Sequence, residues 1–519
     1  MSDGTQTQRG RARRGGRSRT SDTKTQVTRS QPVSMVRRIP PAEFLSQQQI
    51  SLVHDYSMRV LEKTGIEFML PEALDVLEKN GCRIDRETGR AYIPRQVVES
   101  WIAKAPSQFD LQGANPSRCI TLGGDNIAFG SVASAPNTLN SDRGRQTGTH
   151  NGFRDLLKIS HALNTCSFMS GYPVEPIDLP VNTRHLDCYH DMLTMTDKPF
   201  RIYSIGKTRV NDAIKMVRIA HQVDAEQMAA TPRLMTNMNV NSPLRVDGPL
   251  LEGAMEMVRA GQIVVVTPVA FSGAMAPISL SGTLIQFNAE CLACIAFLQM
   301  VQPGAPVMYG SVLASIDMKS GAPILGSPEL VTGFVATGQL ARHYGIPMRG
   351  FLGATSKAVD AQAAHETLMC IWANVLAGVH CVFHAHGLLD GGLIASYEKA
   401  VLDSDLISIM QVISSKVDFS DADEALAAID EVGPGGHFLG SSHTMSRYED
   451  AFHTPILSDW RPYEFWQDDG SLDTAARAKK YYERLLADYT PPQVDPAVAE
   501  ALDAFVTRRK EEIGSDEIY

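Results

Sequence analysis

From about residue 125 onward, short apolar runs rich in β-branched residues alternate with longer stretches whose apolar positions recur every three to four residues. The short runs predict strands at 127–132, 167–174, 200–205, 234–240, 263–271, 306–313, 348–353 and 379–384. Helical spacing fills the intervals at 151–163, 183–195, 209–223, 249–260, 283–301, 329–344 and 361–376, and returns at 398–416 after the last strand. A strand followed by a helix, repeated eight times, predicts an α/β fold with a parallel sheet, and eight is the number that closes a (β/α)8 TIM barrel. The barrel is therefore expected over 125–416.

The flanks read differently. Residues 39–124 hold three amphipathic segments, QQQISLVHDYSMRVLEKTG, LPEALDVLEKNG and YIPRQVVESWIAKAP, the second stopped by Gly81 and the third by Pro106. They predict an N-terminal helical cap. Residues 417–519 open on an acidic segment and the turn GPGGHFLGSSHTMSRYED before a charged helical end. They predict a C-terminal extension that packs on the barrel and supplies part of its mouth.

Charge changes the picture at the N-terminus. Residues 1–38 carry ten Lys and Arg against Asp3 and Asp22, so a tail of +8 precedes a body of −18. With few apolar groups to offset ordering entropy, 1–38 is expected to be a disordered basic tail, either merely solvated or a docking arm for an acidic partner. The acidic body argues against a nucleic-acid surface.

Composition adds that 44% hydrophobic residues in a chain of 519 suffice for a large core. No apolar run reaches the roughly 18–20 residues that cross a bilayer, and the N-terminus lacks the apolar stretch of a secretory signal. A cytoplasmic protein without a membrane partner is expected. Eight scattered cysteines predict reduced thiols instead of a disulfide framework.

In such a barrel the chemistry lies just past the strand ends. Those stretches read SGYPVEP, IYSIG, TNMNVNSP, FSGAMAP, YGSVLASID, GATSKAVDAQ and HAHGLLDGG, mixing small, polar and aromatic residues. In GATSKAVDAQAAHE (353–366), Asp360, Gln362 and Glu366 open a helix, where such groups serve either as caps or as site residues. His384 and His386 stand at strand spacing and could together ligate a metal with Asp390 or Asp317. No HExxH or other compact ligand set accompanies them, so hydrogen-bonded pocket groups are the competing reading and no metal is expected. His437 and His443 read either as part of a tight turn or as a pocket lid. Neither GxGxxG nor GxxxxGK[ST] occurs at a strand end, so nothing asks for NAD or ATP. Tyr172, Tyr203, Phe271, Tyr309, Phe351 and Phe383 lie near strand ends. Aromatic faces suit a quaternary ammonium, which has no proton to donate, and equally fill a barrel interior.

Three stretches in fixed order, FSGAMAPISLSGTLIQFNAECLACIAFLQMVQPGAPVMYG (271–310), SPELVTGFVATGQLARHYGIPMRGFLGATSKAVDAQAAHE (327–366) and VGPGGHFLGSSHT (432–444), resemble the trimethylamine methyltransferase family. The resemblance implies a (β/α)8 barrel that moves a methyl group from an amine to Co(I) of a corrinoid. That corrinoid is carried by a separate protein docking at the barrel mouth. Archaeal members carry pyrrolysine at a place matching residues 355–360, where this chain has ordinary residues, as do members that act on quaternary amines such as glycine betaine. A quaternary amine leaves as a neutral tertiary amine, so no lysine-derived electrophile is required.

The implied site has Asp360, Gln362 and Glu366 as catalytic groups balancing the ammonium charge, with Tyr203, Tyr309 and Phe383 facing it. Asn237, Asn239, Ser272, His384 and His386 would position the remainder, and Arg349 or Lys357 would meet a betaine carboxylate. No tightly bound cofactor is expected in this chain, which has no DxHxxG-type cobalamin stretch, and self-association is compatible with it. Two other functions fit the residues: a metal-dependent hydrolase using His384 and His386, and a betaine-binding barrel without turnover.

Overall fold

The structure, a computed structural model, describes residues 34–514. Seven of the expected strands form one curled sheet in the order Asn126–Phe129, Cys381–Phe383, Met348–Phe351, Val307–Gly310, Ile263–Ser272, Leu234–Val240 and Phe200–Tyr203. Every neighbouring pair in that series is parallel. The expected strand at 167–174 makes no ladder. Phe168 bridges Gly130 on one side and Met169 bridges Phe200 on the other, each as a single parallel pair. The local sequence explains this, because Ser170, Gly171 and Pro173 interrupt the apolar run after Phe168 and Met169.

Parallel neighbours require crossover connections, and helices supply them close to the expected positions. Six of these helices, beginning at His150, Gly248, Leu280, Pro328, Ala361 and Tyr397, start on a side-chain cap. Thr149, Asp247, Ser279, Ser327, Asp360 and Ser396 each accept the backbone N–H three residues on, satisfying a donor that the helix itself leaves open.

Alternation along the strands divides two apolar layers. Val264, Val266, Val307 and Val382 pack outward into the main core with the helices. Met235, Ile263, Val265, Met308, Cys381 and Phe383 pack on the concave face with Phe168. Leu111, Ile120 and Leu122 complete this inner cluster, from the antiparallel pair Gln108–Leu111 and Ile120–Gly123 that closes the end where the strands begin. Each such side chain contributes roughly 1.5–3 kcal/mol by leaving water. One end of the concave face is thereby plugged with hydrocarbon, and the other is left for chemistry.

Helix Leu280–Val301 is long and apolar enough to cross a membrane by length and composition, which corrects the expectation that no segment would be. Its mean hydropathy is 1.6 over the most apolar stretch, 83% of which is buried inside the fold. It lies between the sheet and helices Gln47–Arg59 and Arg95–Ile102, and a helix apolar all round belongs in such a place.

The flanks depart from expectation in detail. Met35–Val36 pairs with Ile127 and Asn126, and Arg37 meets Asp125 at 2.9 Å, so residues 34–38 belong to the sheet edge. Residues 1–33 of the expected basic tail lie outside the described residues. The N-terminal cap holds its three helices and also a small sheet of Ile66–Phe68, Arg83–Asp85 and Arg90–Tyr92, joined by Arg245–Val246. In the C-terminal region, Thr474–Ala487 packs along Tyr397–Ile413, and Pro496–Ile513 lies across Arg184–Thr194 and Lys207–His221. Between Tyr397–Ile413 and Thr474–Ala487, 415–470 forms an arm in which His443 bonds Asp421 at 3.2 Å, Arg447 bonds Glu424, and His437 is exposed. These bonds stay within the arm, while the Ile456 N–H donates to Asp405 at 2.6 Å and ties its end to helix Tyr397–Ile413. All eight cysteines are free, and only Cys119 is exposed.

Candidate active site

On Phe200–Tyr203, Phe200 and Ile202 pack outward, so Arg201 and Tyr203 turn to the concave face. The Arg201 guanidinium donates from Nε to the Ser170 carbonyl and from Nη2 to Ser134 Oγ at 3.3 Å. Its path runs past Gly171, where a Cβ would lie 2.4 Å from Arg201 Nη2 and where φ is +129°. Only glycine fits there.

Arg349, on the strand beside Cys381–Phe383, is 1% exposed and donates from Nη1 to the Ser311 carbonyl at 3.2 Å. Its Nε has no partner. Both guanidinium groups stand over the Phe383 ring, Arg349 at 4.5 Å and Arg201 at 5.7 Å from its centre. Neither has a carboxylate within 4 Å among the described residues. Burial, reinforced by the charge of Arg201, pushes the Arg349 pKa down to about 9.

His384 follows Phe383 with a left-handed φ of 58° and sends its ring back toward the same space, 6.2 Å from Phe383. Its Nδ1 is buried without a partner. Burial and the nearby Arg349 and Arg201 hold its pKa well below the ordinary value, so the imidazole is neutral. Asn237, paired with Tyr203 across the sheet, presents a third unpartnered atom, Oδ1.

An aromatic wall adjoins these groups. The rings of Tyr172 and Tyr203 meet edge to face at 4.6 Å, and the Tyr203 hydroxyl lies 2.8 Å from Ser134 Oγ. Glu175 is half-buried, 3.6 Å from Arg184, and feels the charge of Arg201 as well. Burial raises its pKa despite Arg184. Arg201 and Glu175 were not singled out in the sequence, and Tyr172 only as one of several strand-end aromatics. The only signal for them was the glycine and aromatic content of SGYPVEP, together with a charged residue inside an apolar strand.

Several expected site residues are placed elsewhere. Glu366 is buried, but its Oε2 accepts the N–H groups of Thr355 at 2.7 Å and Ser356 at 3.1 Å, and its Oε1 accepts from Gln362 at 2.8 Å. Asp360 accepts from Ala363 N and from Ser356 Oγ, both at 2.9 Å. These backbone bonds, with the Ser356 hydroxyl, hold the Asp360 pKa below the usual carboxylate range. The trio thus ties the 353–366 segment to itself. Lys357 is exposed, bonded to its neighbour's carbonyl and 3.5 Å from Asp390.

Tyr309 turns outward, its hydroxyl donating to Asn288 at 2.9 Å and its ring beside Phe287, so it does not face the site. His386 is fully buried between the Gly130 carbonyl, 2.8 Å from Nδ1, and Thr165 Oγ1, 2.9 Å from Nε2. With both nitrogens engaged it ligates nothing, and the hydrolase alternative loses its histidine pair. Among the described residues no three His, Cys, Asp or Glu side chains cluster as a metal site. Ser272 sits at the rim, 2.9 Å from Thr283 Oγ1, and Asn239 is exposed one layer above Asn237.

A site at the carboxyl ends of parallel strands is the arrangement of an α/β enzyme. The chain belongs to the trimethylamine methyltransferase (MTTB) family, which it matches over residues 9–514. It is similar to a glycine betaine methyltransferase of Desulfitobacterium hafniense, at 35% identity over 93% of this chain and 100% of the relative. A trimethylamine methyltransferase of the same species is 28% identical over 90% of this chain and 94% of its own. Among solved structures, the monomethylamine methyltransferase of Methanosarcina barkeri aligns with a TM-score of 0.43 and 10% identity, over 90% of this chain and 94% of that one.

Proposed function

We propose that this protein transfers a methyl group from a quaternary amine of the betaine class to Co(I) of a corrinoid carried by a separate protein. The observation that carries the reading is the aromatic wall of Tyr172, Tyr203 and Phe383 beside half-buried Glu175 at the strand ends of a chain in this family. Aromatic faces attract a quaternary ammonium without asking it for a proton, and Glu175 offsets its charge in place of Asp360. The transfer is an in-line displacement. The C–N electron pair stays on nitrogen, which leaves as a neutral tertiary amine, and the new bond to carbon takes both electrons from Co(I). The protein's own part is to hold the N-methyl carbon in line and exclude water, for which no proton transfer is needed.

The same reading includes closure of the sheet as a (β/α)8 barrel through residues 168 and 169, supported by their bridges to Gly130 and Phe200. The corrinoid protein would dock at the strand-end mouth, where Ile177, Val181, Ile278 and Met318 are exposed on neighbouring loops. Free thiols on all eight cysteines accord with a cytoplasmic setting.

The test mixes purified protein with chemically reduced cobalamin and a panel of quaternary and tertiary amines, following methylcobalamin by absorbance. Methylation by a betaine is expected. Methylation by tertiary amines alone, or by no amine even with the native corrinoid protein present, would overturn the proposal.

A further inference from the structure

Two arginines buried over one phenyl ring with no carboxylate within 4 Å among the described residues are an unusual arrangement. Moving a guanidinium out of water without a counter-charge is penalised by several kcal/mol, so natural interiors pair such groups. Here the concave face supplies Arg201 and Arg349 only with carbonyl and hydroxyl oxygens, and leaves Arg349 Nε vacant. Neutral His384 stands beside them with an unpartnered Nδ1. On this face both guanidinium charges converge over one ring, while Glu175 pairs with Arg184 instead.

We infer that Arg201 and Arg349 form the binding site for the substrate's carboxylate. The inference rests on the proposed methyl transfer and deepens it, by naming the end of the substrate that the protein recognises. Depth in the sheet supports the orientation. Arg201 lies two residues before Tyr203 on its strand, and Arg349 two before Phe351, so both sit one layer below the strand ends. A carboxylate held there offsets the Arg201 guanidinium, which lies 4.6 Å over the Tyr203 ring, and so leaves the ammonium beside the Tyr203 and Tyr172 wall with an N-methyl toward the mouth, the side from which the second substrate approaches. Trimethylamine and choline lack the carboxylate, so the two arginines set specificity as well as position. Planar guanidinium groups match a carboxylate through paired hydrogen bonds, which a lysine does not reproduce.

The probe is 3,3-dimethylbutanoate, in which carbon replaces the nitrogen of glycine betaine. It keeps shape and carboxylate but carries no ammonium charge and no transferable methyl. Calorimetric titration of the full chain should show binding of betaine and of this isostere. Arg349→Met and Arg201→Met should each weaken both by roughly 100-fold, the loss typical when one partner of a buried charge pair is removed. Arg349→Lys, a milder change, should fall between, and near-UV circular dichroism verifies that each variant is folded. The preference of methyl transfer for betaine over choline should collapse in both methionine variants. Wild-type protein that ignores the isostere, or variants that bind it as wild type does, would overturn the inference. Isostere binding without methyl transfer from any amine keeps the carboxylate site and sinks the proposed reaction. Betaine turnover undiminished in both methionine variants keeps the reaction and sinks the carboxylate site.

Discussion

Two polar segments at the same end of the sheet behave in opposite ways. In 353–366 every notable polar side chain finds its partner a few residues away: Asp360 caps its helix, Glu366 clamps the amides of Thr355 and Ser356, and Gln362 ties down Glu366. On the concave face, Arg349 Nε, His384 Nδ1 and Asn237 Oδ1 are buried with no partner. The first segment is rich in acid and amide groups, yet its buried ones are spent on their own chain. The second has few, and offers all of them. Buried polar groups are almost always satisfied in folded proteins, so an unsatisfied set in one place marks function better than polarity does.

The comparison can be broken by substitution. Glu366→Ala should lower stability most, by about 3 kcal/mol, because it orphans two backbone amides inside the fold. Thermal unfolding by calorimetry reads this, and an unchanged midpoint would remove the contrast. Arg349→Met should act in the reverse direction, leaving the ligand-free protein as stable as wild type or more so, by about 2 kcal/mol, since a buried unpaired charge becomes hydrocarbon. A large loss would mean that Arg349 holds the fold together instead of waiting for an anion.

Titration sharpens the same point. The Arg349 pKa is pushed below its unfolded value to about 9, so the unfolded chain binds more protons between those two values. The strain of the buried charge is therefore fully present below pH 9 and relieved as pH rises through that value. Carboxylate affinity should be flat near neutrality and decline above about pH 9, approaching tenfold per pH unit, while Arg349→Met shows no such limb. Calorimetry of the isostere across pH measures both. The smallest effect belongs to the cap: Asp360→Ala should reduce stability by about 1 kcal/mol and Asp360→Asn by less, with methyl transfer unchanged in both. A loss of turnover in Asp360→Asn at full stability would return that carboxylate to the site.

Much of the fold was legible from spacing alone. The helices fall within about three residues of expectation, because amphipathic period and Ser, Thr or Asp caps are written locally. The strand at 167–174 was not, since its two bridging residues depend on neighbours distant in sequence. Within the site, Tyr203, Asn237, Arg349, Phe383 and His384 were legible as strand-end residues. Tyr309 packs in the helix layer, because a one-residue shift in register exchanges it for the concave face. His386 looked like its neighbour two residues earlier, yet it spends both ring nitrogens on Gly130 and Thr165.

The sequence by itself determined the α/β rhythm, the capped helices and the family, all of which rest on residue types at fixed short intervals. Only the tertiary structure decided which polar groups remain unpaired. Arg201 and Arg349 are far apart along the chain, and neither is distinctive alone. They become an anion site because the order of strands in the sheet brings both over Phe383 and brings no carboxylate within 4 Å of either, and local sequence carries no record of the partners a side chain will lack.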